Sequence, residues 1–173
     1  MRGLIHLYCG DGKGKTTAAV GLAVRAAGAG QKVLFVQFLK DGSSSEIKTL
    51  RATDGIDVLV CEKPYGFIWT MSEEEFAAAA RDFAALLHTA LDASKGGYGL
   101  LVLDEAVSAC NCGVIAEREL LDFFAVRPEG LEVVLTGRDP SEALLAAADY
   151  VTEMKKLRHP YDEGKQARLG VEY

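Results

Sequence analysis

Gly10-Asp11-Gly12-Lys13-Gly14-Lys15-Thr16-Thr17 lies between an apolar run, residues 4–9, and a helical stretch, residues 16–27. A glycine-rich turn that leaves a buried strand and opens a helix is the setting of a phosphate-binding loop. Its backbone N–H groups and the helix N-terminus can point together at phosphate oxygens. Lys15 is placed to neutralise the outer phosphates, and the Thr16 hydroxyl to ligate Mg²⁺. The octet departs from the usual G-x-x-x-x-G-K-[ST] pattern at one point, because Cys9 stands where the first glycine is expected. Gly10 and Gly12 supply local freedom in its place. The loop residues Gly10, Asp11, Gly12, Lys13, Gly14, Lys15, Thr16 and Thr17 therefore form the expected nucleotide cradle.

Outward from the loop, strand-like runs at residues 4–9, 32–38, 56–61, 99–104, 131–136 and 150–154 alternate with helical stretches. Most are unbroken in Val, Leu and Ile, as parallel strands covered on both faces should be. Helices are expected at 16–27, ending near Gly28 and Gly30, and at 72–93. Ser72 with Glu75 makes a capping box for the second, and Phe76, Phe83, Leu87 and Leu91 share one of its faces. Shorter helices are expected at 117–124 and after Asp139-Pro140, while 41–45 reads as a flexible polar loop. With 173 residues and no repeat or linker, the expected fold is one α/β domain over 1–173, a doubly wound, mostly parallel sheet of the P-loop, RecA-like kind.

A net charge of −6 argues against a general nucleic-acid binder, whose affinity comes from neutralising phosphates. The N-terminus has no basic segment followed by a long apolar stretch, and no run is long enough to cross a bilayer. The reading is a cytoplasmic protein without a membrane or nucleic-acid partner. Cys9, Cys61, Cys110 and Cys112 make no paired C-x-x-C set, so reduced thiols are expected rather than zinc.

Leu100-Leu101-Val102-Leu103-Asp104-Glu105 is an apolar strand that ends in two acids. A carboxylate at a strand's C-terminal end reaches the same crevice as the loop and can complete a Mg²⁺ shell directly or through water. Thr16 and Glu105 are the expected metal ligands, with Asp104 as a ligand or an outer partner. Arg138, just past a strand end, and Arg25, on the helix after the loop, are further phosphate candidates, although a solvated arginine explains either as well.

Val36-Gln37-Phe38-Leu39-Lys40, Gly66-Phe67-Ile68-Trp69, Leu103-Asp104-Glu105 and Leu135-Thr136-Gly137-Arg138 follow the loop in that order. They are followed by Ala148-Asp149-Tyr150-Val151-Thr152-Glu153-Met154, His159-Pro160-Tyr161-Asp162-Glu163-Gly164 and Gly170-Val171-Glu172-Tyr173. This ordered series, spread over nearly the whole chain, resembles the P-loop type of ATP:cob(I)alamin (corrinoid) adenosyltransferase. The resemblance implies a nucleophilic Co(I) that attacks the 5′ carbon of ATP while triphosphate leaves. ATP and a corrinoid would be the substrates, with Mg²⁺ as cofactor and Lys15 stabilising the leaving group. The resemblance also sets Phe67 and Trp69 against the lower face of the corrinoid, where they would exclude an axial ligand and ease reduction of cobalt. Pattern alone would put both rings in the core. A homodimer and an electron-donating reductase, such as a flavoprotein, are implied partners. Some members of the family carry an N-terminal extension over the active site. Here the first strand starts close to Met1, so that cover is expected to be missing or to come from another element.

Two rivals use the same loop. A small-molecule P-loop kinase would need a base near its acceptor hydroxyl, a role open to Asp104 or Glu105. A nucleotide-dependent switch would need a loop ordered by the γ-phosphate, for which 41–45 is a candidate. The aromatic pair and the carboxy-terminal motifs count against both. The basic tail over 155–168 is more simply a solvated face, and His6, His88 and His159 receive no catalytic task.

Overall fold

The computed structural model of the chain describes residues 2–172, so Met1 and Tyr173, the last residue of the final motif, lie outside the described residues. All six expected strands form: β1 (Ile5–Cys9), β2 (Val33–Gln37), β3 (Ile56–Val60), β4 (Leu100–Asp104), β5 (Glu132–Thr136) and β6 (Tyr150–Glu153). They make one sheet in the order β3-β2-β4-β5-β1-β6, and every pairing is parallel.

Alternation along the strands builds two cores. Val33, Phe35, Leu100, Val102 and Val134 face α1 (Lys15–Gly28) and α2 (Ser45–Arg51), which bury Ala19, Ala23, Ile47 and Leu50 against them. Leu34, Val36, Leu101, Leu103, Val133 and Leu135 face the other way. That side is covered by α3 (Glu73–Ala93), α4 (Ala106–Asn111), α5 (Glu117–Val126) and α6 (Glu142–Ala147). Helices on both faces of a parallel sheet are the doubly wound arrangement, and they explain why β2 and β4 run apolar over four residues before each ends in a polar one. The edge strand β6 has one neighbour, and all four of its residues are exposed.

Local signals behave as their chemistry requires. The Ser72 hydroxyl accepts the Glu75 N–H at 3.2 Å, and the Glu75 carboxylate accepts the Ser72 N–H at 2.8 Å, which closes the capping box of α3. Phe83 and Leu87 are buried on its inner face, with Phe76 and Leu91 packed at the border. At the end of α1 the left-handed residue is Gly30, not Gly28, which remains helical. The cap of α6 is Ser141, whose hydroxyl accepts the Leu144 N–H at 3.1 Å; Asp139 and Pro140 precede it rather than start the helix. Two helices were not expected. Segment 41–45 leads directly into α2, which buries Ile47 and Leu50, and α4 starts immediately after the strand acids. Both are too short for a period to show.

The four cysteines are free. Burial, with Glu117 adding to it, pushes the Cys110 thiol up to about 12, so it stays protonated and inert.

Candidate active site

The crevice lies at the C-terminal ends of the strands, where ligands bind in open parallel sheets. β1 delivers the loop and β4 the acids, with β5 running between them. A cleft of about 870 Å³ joins Asp11 through Thr17 to Lys40, Glu105 and Arg138, with the carboxy-terminal tail as its far wall.

The loop is clamped from outside by the chain that leaves β6. The Gly12 N–H donates to the Met154 carbonyl at 2.6 Å, and the Lys156 N–H donates to the Asp11 carboxylate at 2.9 Å. A Cβ on Gly12 would sit 2.5 Å from the Met154 oxygen and 2.9 Å from the Lys155 carbonyl carbon. The glycine is thus required by close approach of two backbones. The Lys156 N–H also holds the Asp11 carboxyl below the usual carboxylate range. Lys15 folds into the loop, donating to the Gly10 carbonyl at 2.7 Å and the Gly12 carbonyl at 2.8 Å. Burial pushes its ammonium below the ordinary lysine value, and Glu105 opposes that shift.

The acids divide into an inner and an outer group. Asp104 is fully buried. The Thr136 hydroxyl donates to its Oδ1 at 2.7 Å, and Gln37 Nε2 donates to its Oδ2 at 3.1 Å. Both carboxylate oxygens are therefore engaged, and Asp104 stands behind the cleft as a support. Of the two acids at the end of β4, Glu105 is the one that lines it. Its backbone is left-handed, with φ 59°, and the Thr136 hydroxyl holds it there by accepting its N–H at 2.8 Å. Ser108 donates to its carboxylate at 2.6 Å. Gly137, immediately after Thr136, packs so closely on α4 that a Cβ would meet the Ser108 nitrogen at 2.7 Å. That contact lets Arg138 emerge exposed at the cleft rim.

Phe67 and Trp69 are not core. They are 65% and 79% exposed, with rings stacked at 4.7 Å and 16°. Residue 67 is extended and Ile68–Thr70 forms a single 3₁₀ turn, so the pair is not on a strand. Phe67 walls a second cavity of about 470 Å³ beside the cleft, which also takes in Leu39, Lys40, Tyr65 and Glu172. Tyr65 and Lys63 both hydrogen-bond to Asp82 on α3, anchoring the segment before the pair.

Arg25 does not belong to the site. It lies in the last turn of α1, ten residues beyond Lys15, roughly 15 Å along the axis at about 1.5 Å per residue. The tail, by contrast, does contribute: Lys156, His159, Lys165, Arg168 and Glu172 face the cleft. Arg168 holds Glu172 through 2.9 Å and 3.2 Å contacts, and the Glu172 carboxyl falls to about 2 as a result. His6 stacks on Tyr150 at the far sheet edge and His88 pairs with Glu119, both away from the cleft. Gln37 and Thr136, fully buried polar ends of apolar strands, were not singled out as site residues. Their signal was a polar side chain closing an otherwise apolar run.

Among the residues lining the cleft, Thr16 offers a hydroxyl and Glu105 a carboxylate oxygen. Such a set fits Mg²⁺, which is usually held by one or two protein oxygens together with substrate phosphates. Among the described residues no group of three or more His, Cys, Asp and Glu is arranged to hold a metal unaided. No helix there is long and apolar enough to cross a membrane.

A family model described as ATP:corrinoid adenosyltransferase BtuR/CobO/CobP matches residues 1–173. The chain is 33% identical over 173 residues to a corrinoid adenosyltransferase of Escherichia coli, covering 99% of this chain and 86% of that one. It is 33% identical over 172 residues to corrinoid adenosyltransferases of Salmonella typhimurium and Pseudomonas aeruginosa, covering 86% and 84% of them. Among solved structures, a KaiC-like protein from the hyperthermophilic archaeon Pyrococcus horikoshii matches with a TM-score of 0.53 at 16% identity, over 89% of this chain and 72% of that one. At that identity the likeness concerns the fold.

Proposed function

Because the chain belongs to the ATP:corrinoid adenosyltransferase family, we propose that its cleft seats ATP with the triphosphate on the loop and the 5′ carbon toward the aromatic cavity. The reaction transfers the 5′-deoxyadenosyl group to Co(I) of a corrinoid and releases triphosphate. The cobalt electron pair forms the Co–C bond, and the electrons of the broken C5′–O bond leave on the triphosphate. The carrying observation is that the loop cleft and the Phe67-walled cavity adjoin and share Lys40 and Glu172. A leaving group on one side and a broad apolar acceptor on the other need that adjacency.

The loop N–H groups, Lys15 and Arg138 gather negative charge as the triphosphate departs. Thr16 and Glu105 hold Mg²⁺, and Asp104 fixes the strand end through Thr136. The metal, when bound, withdraws charge from the phosphates. Nothing has to deprotonate a water, so no base is assigned. Phe67 and Trp69 lie against the lower face of the corrinoid and keep an axial ligand from the cobalt. We place the whole chain in one cytoplasmic domain that acts as a homodimer, with a reductase such as a flavoprotein giving the electron that brings the corrinoid's cobalt to Co(I).

Incubation of the purified protein with MgATP and chemically reduced corrinoid tests this reading. A light-sensitive Co–C product, formed with equimolar triphosphate, is expected. ADP with a phosphorylated acceptor would replace it by a kinase, and slow ADP release without an acceptor by a switch.

A further inference from the structure

At the end of β2 the backbone makes a left-handed turn with a leucine: Leu39 has φ 58°. A side chain in that region is strained, and such strain persists only where the surroundings over-determine it. The next residue is Lys40. Its Nζ stands 3.8 Å from Asp104 Oδ2, with the lysine side chain 35% exposed and the aspartate 0%. That separation exceeds a hydrogen bond, and the Asp104 oxygens already accept from Thr136 and Gln37. The carboxylate therefore attracts the ammonium without taking up its N–H groups. Lys15 differs, since two of its donors are spent on the Gly10 and Gly12 carbonyls. Lys40 is also the one cation that lines both the loop cleft and the aromatic cavity among the described residues.

We propose that Lys40 is a further catalytic residue, whose ammonium donates to the α-phosphate oxygen of the breaking C5′–O bond. This rests on the function proposed above. With the outer phosphates on the loop, the bond that breaks lies at the junction of the two cavities, where Lys40 is placed. The electron pair left on that oxygen is met by an N–H donor and no proton has to move, because a triphosphate leaves as an anion. The two lysines then divide the leaving group: Lys15 holds its far end, and Lys40 the oxygen released by carbon. Asp104 aims Lys40 from behind, giving a buried acid that does not reach the cleft a role in the reaction.

The test compares the wild type with Lys40→Ala, Lys40→Gln and Lys40→Arg. Single-turnover Co–C bond formation is followed at saturating MgATP and reduced corrinoid, and ATP binding is measured by calorimetry without corrinoid. Loss of one donor to a developing anion slows such steps by about 10²–10³-fold. That loss is expected in Lys40→Ala and in Lys40→Gln, which keeps bulk and an N–H but not the charge. ATP affinity should shift less than the rate, and Lys40→Arg should recover part of it. A wild-type rate in the Ala or Gln variant, or an effect confined to KM for either substrate, overturns the proposal. If Lys40→Ala does not fold, the Gln variant decides. A wild type that forms no adenosylcorrinoid would instead refute the proposed function itself.

Discussion

The two ends of the crevice are built on different terms. At the loop end, buried Lys15 folds onto two carbonyls, buried Asp104 is fixed through Thr136 and Gln37, and Gly12 is pressed against the backbone beyond β6. At the aromatic end, Phe67 and Trp69 are mostly exposed and rest on each other. One end is completed by the protein alone. The other presents an apolar face that no other described residue covers. Electrostatic catalysis depends on preorganised donors, whereas a broad planar ligand needs a surface that it can itself bury. The contrast predicts that changes at the loop end cost chemistry and stability, and that changes at the aromatic end cost the encounter with the corrinoid.

The largest effect should come from Lys15→Ala. Removing the cation from the loop is expected to lower turnover by about 10²–10³-fold and to weaken ATP binding, read by calorimetry and by triphosphate release. Near-wild-type turnover would show that the loop N–H groups suffice. Gly12→Ala comes next, because its Cβ meets backbone that cannot rotate away. Overpacking of this kind costs about 1–3 kcal/mol, so both Tm and ATP affinity should fall together. A fall in Tm alone would separate the clamp from the nucleotide site.

The same contrast marks what the sequence made legible. Six strands, the long capped helix and the loop were readable because each has a local cause: unbroken apolar runs, a Ser72–Glu75 box, glycines between strand and helix. Helices α2 and α4 were not, since six or seven residues give no periodicity. Thr16 and Glu105 do face the cleft, Asp104 takes the outer of the two places the sequence left open to it, and Arg25 lies too far along α1. The sequence named Glu105 as a ligand but left two places open to Asp104, because the choice depends on Gln37 and Thr136, brought in from neighbouring strands. The aromatic pair was ambiguous for a related reason. Exposure is set by what is absent around a ring, and no local pattern encodes that.

At the aromatic end, Trp69→Ala is expected to lower kcat/KM for corrinoid about tenfold while leaving ATP binding unchanged. An aromatic contact contributes roughly 0.5–1.5 kcal/mol beyond its buried area, and about 1.4 kcal/mol is tenfold. Trp69 is the only tryptophan, so corrinoid should also quench the protein's tryptophan fluorescence. Loss of ATP binding in this variant would erase the division between the two ends.

The smallest effect should appear where the ends meet, at Glu172, which borders both cavities. Arg168 holds its carboxyl at about 2 against an ordinary 4.5. A depressed carboxylate contributes order that is complete above the ordinary value and fades as pH falls toward the lowered one. The Arg168 N–H, which donates to Glu172 Oε2 at 2.8 Å, should therefore be protected from hydrogen exchange at neutral pH and lose that protection between about 4.5 and 2. Glu172→Gln should remove the protection at neutral pH and leave the sheet amides as they were. If the variant instead exposed β1 and β5 to exchange, the tail would belong to the rigid end of the crevice, and its pairing would brace the loop rather than close the seam between the two cavities.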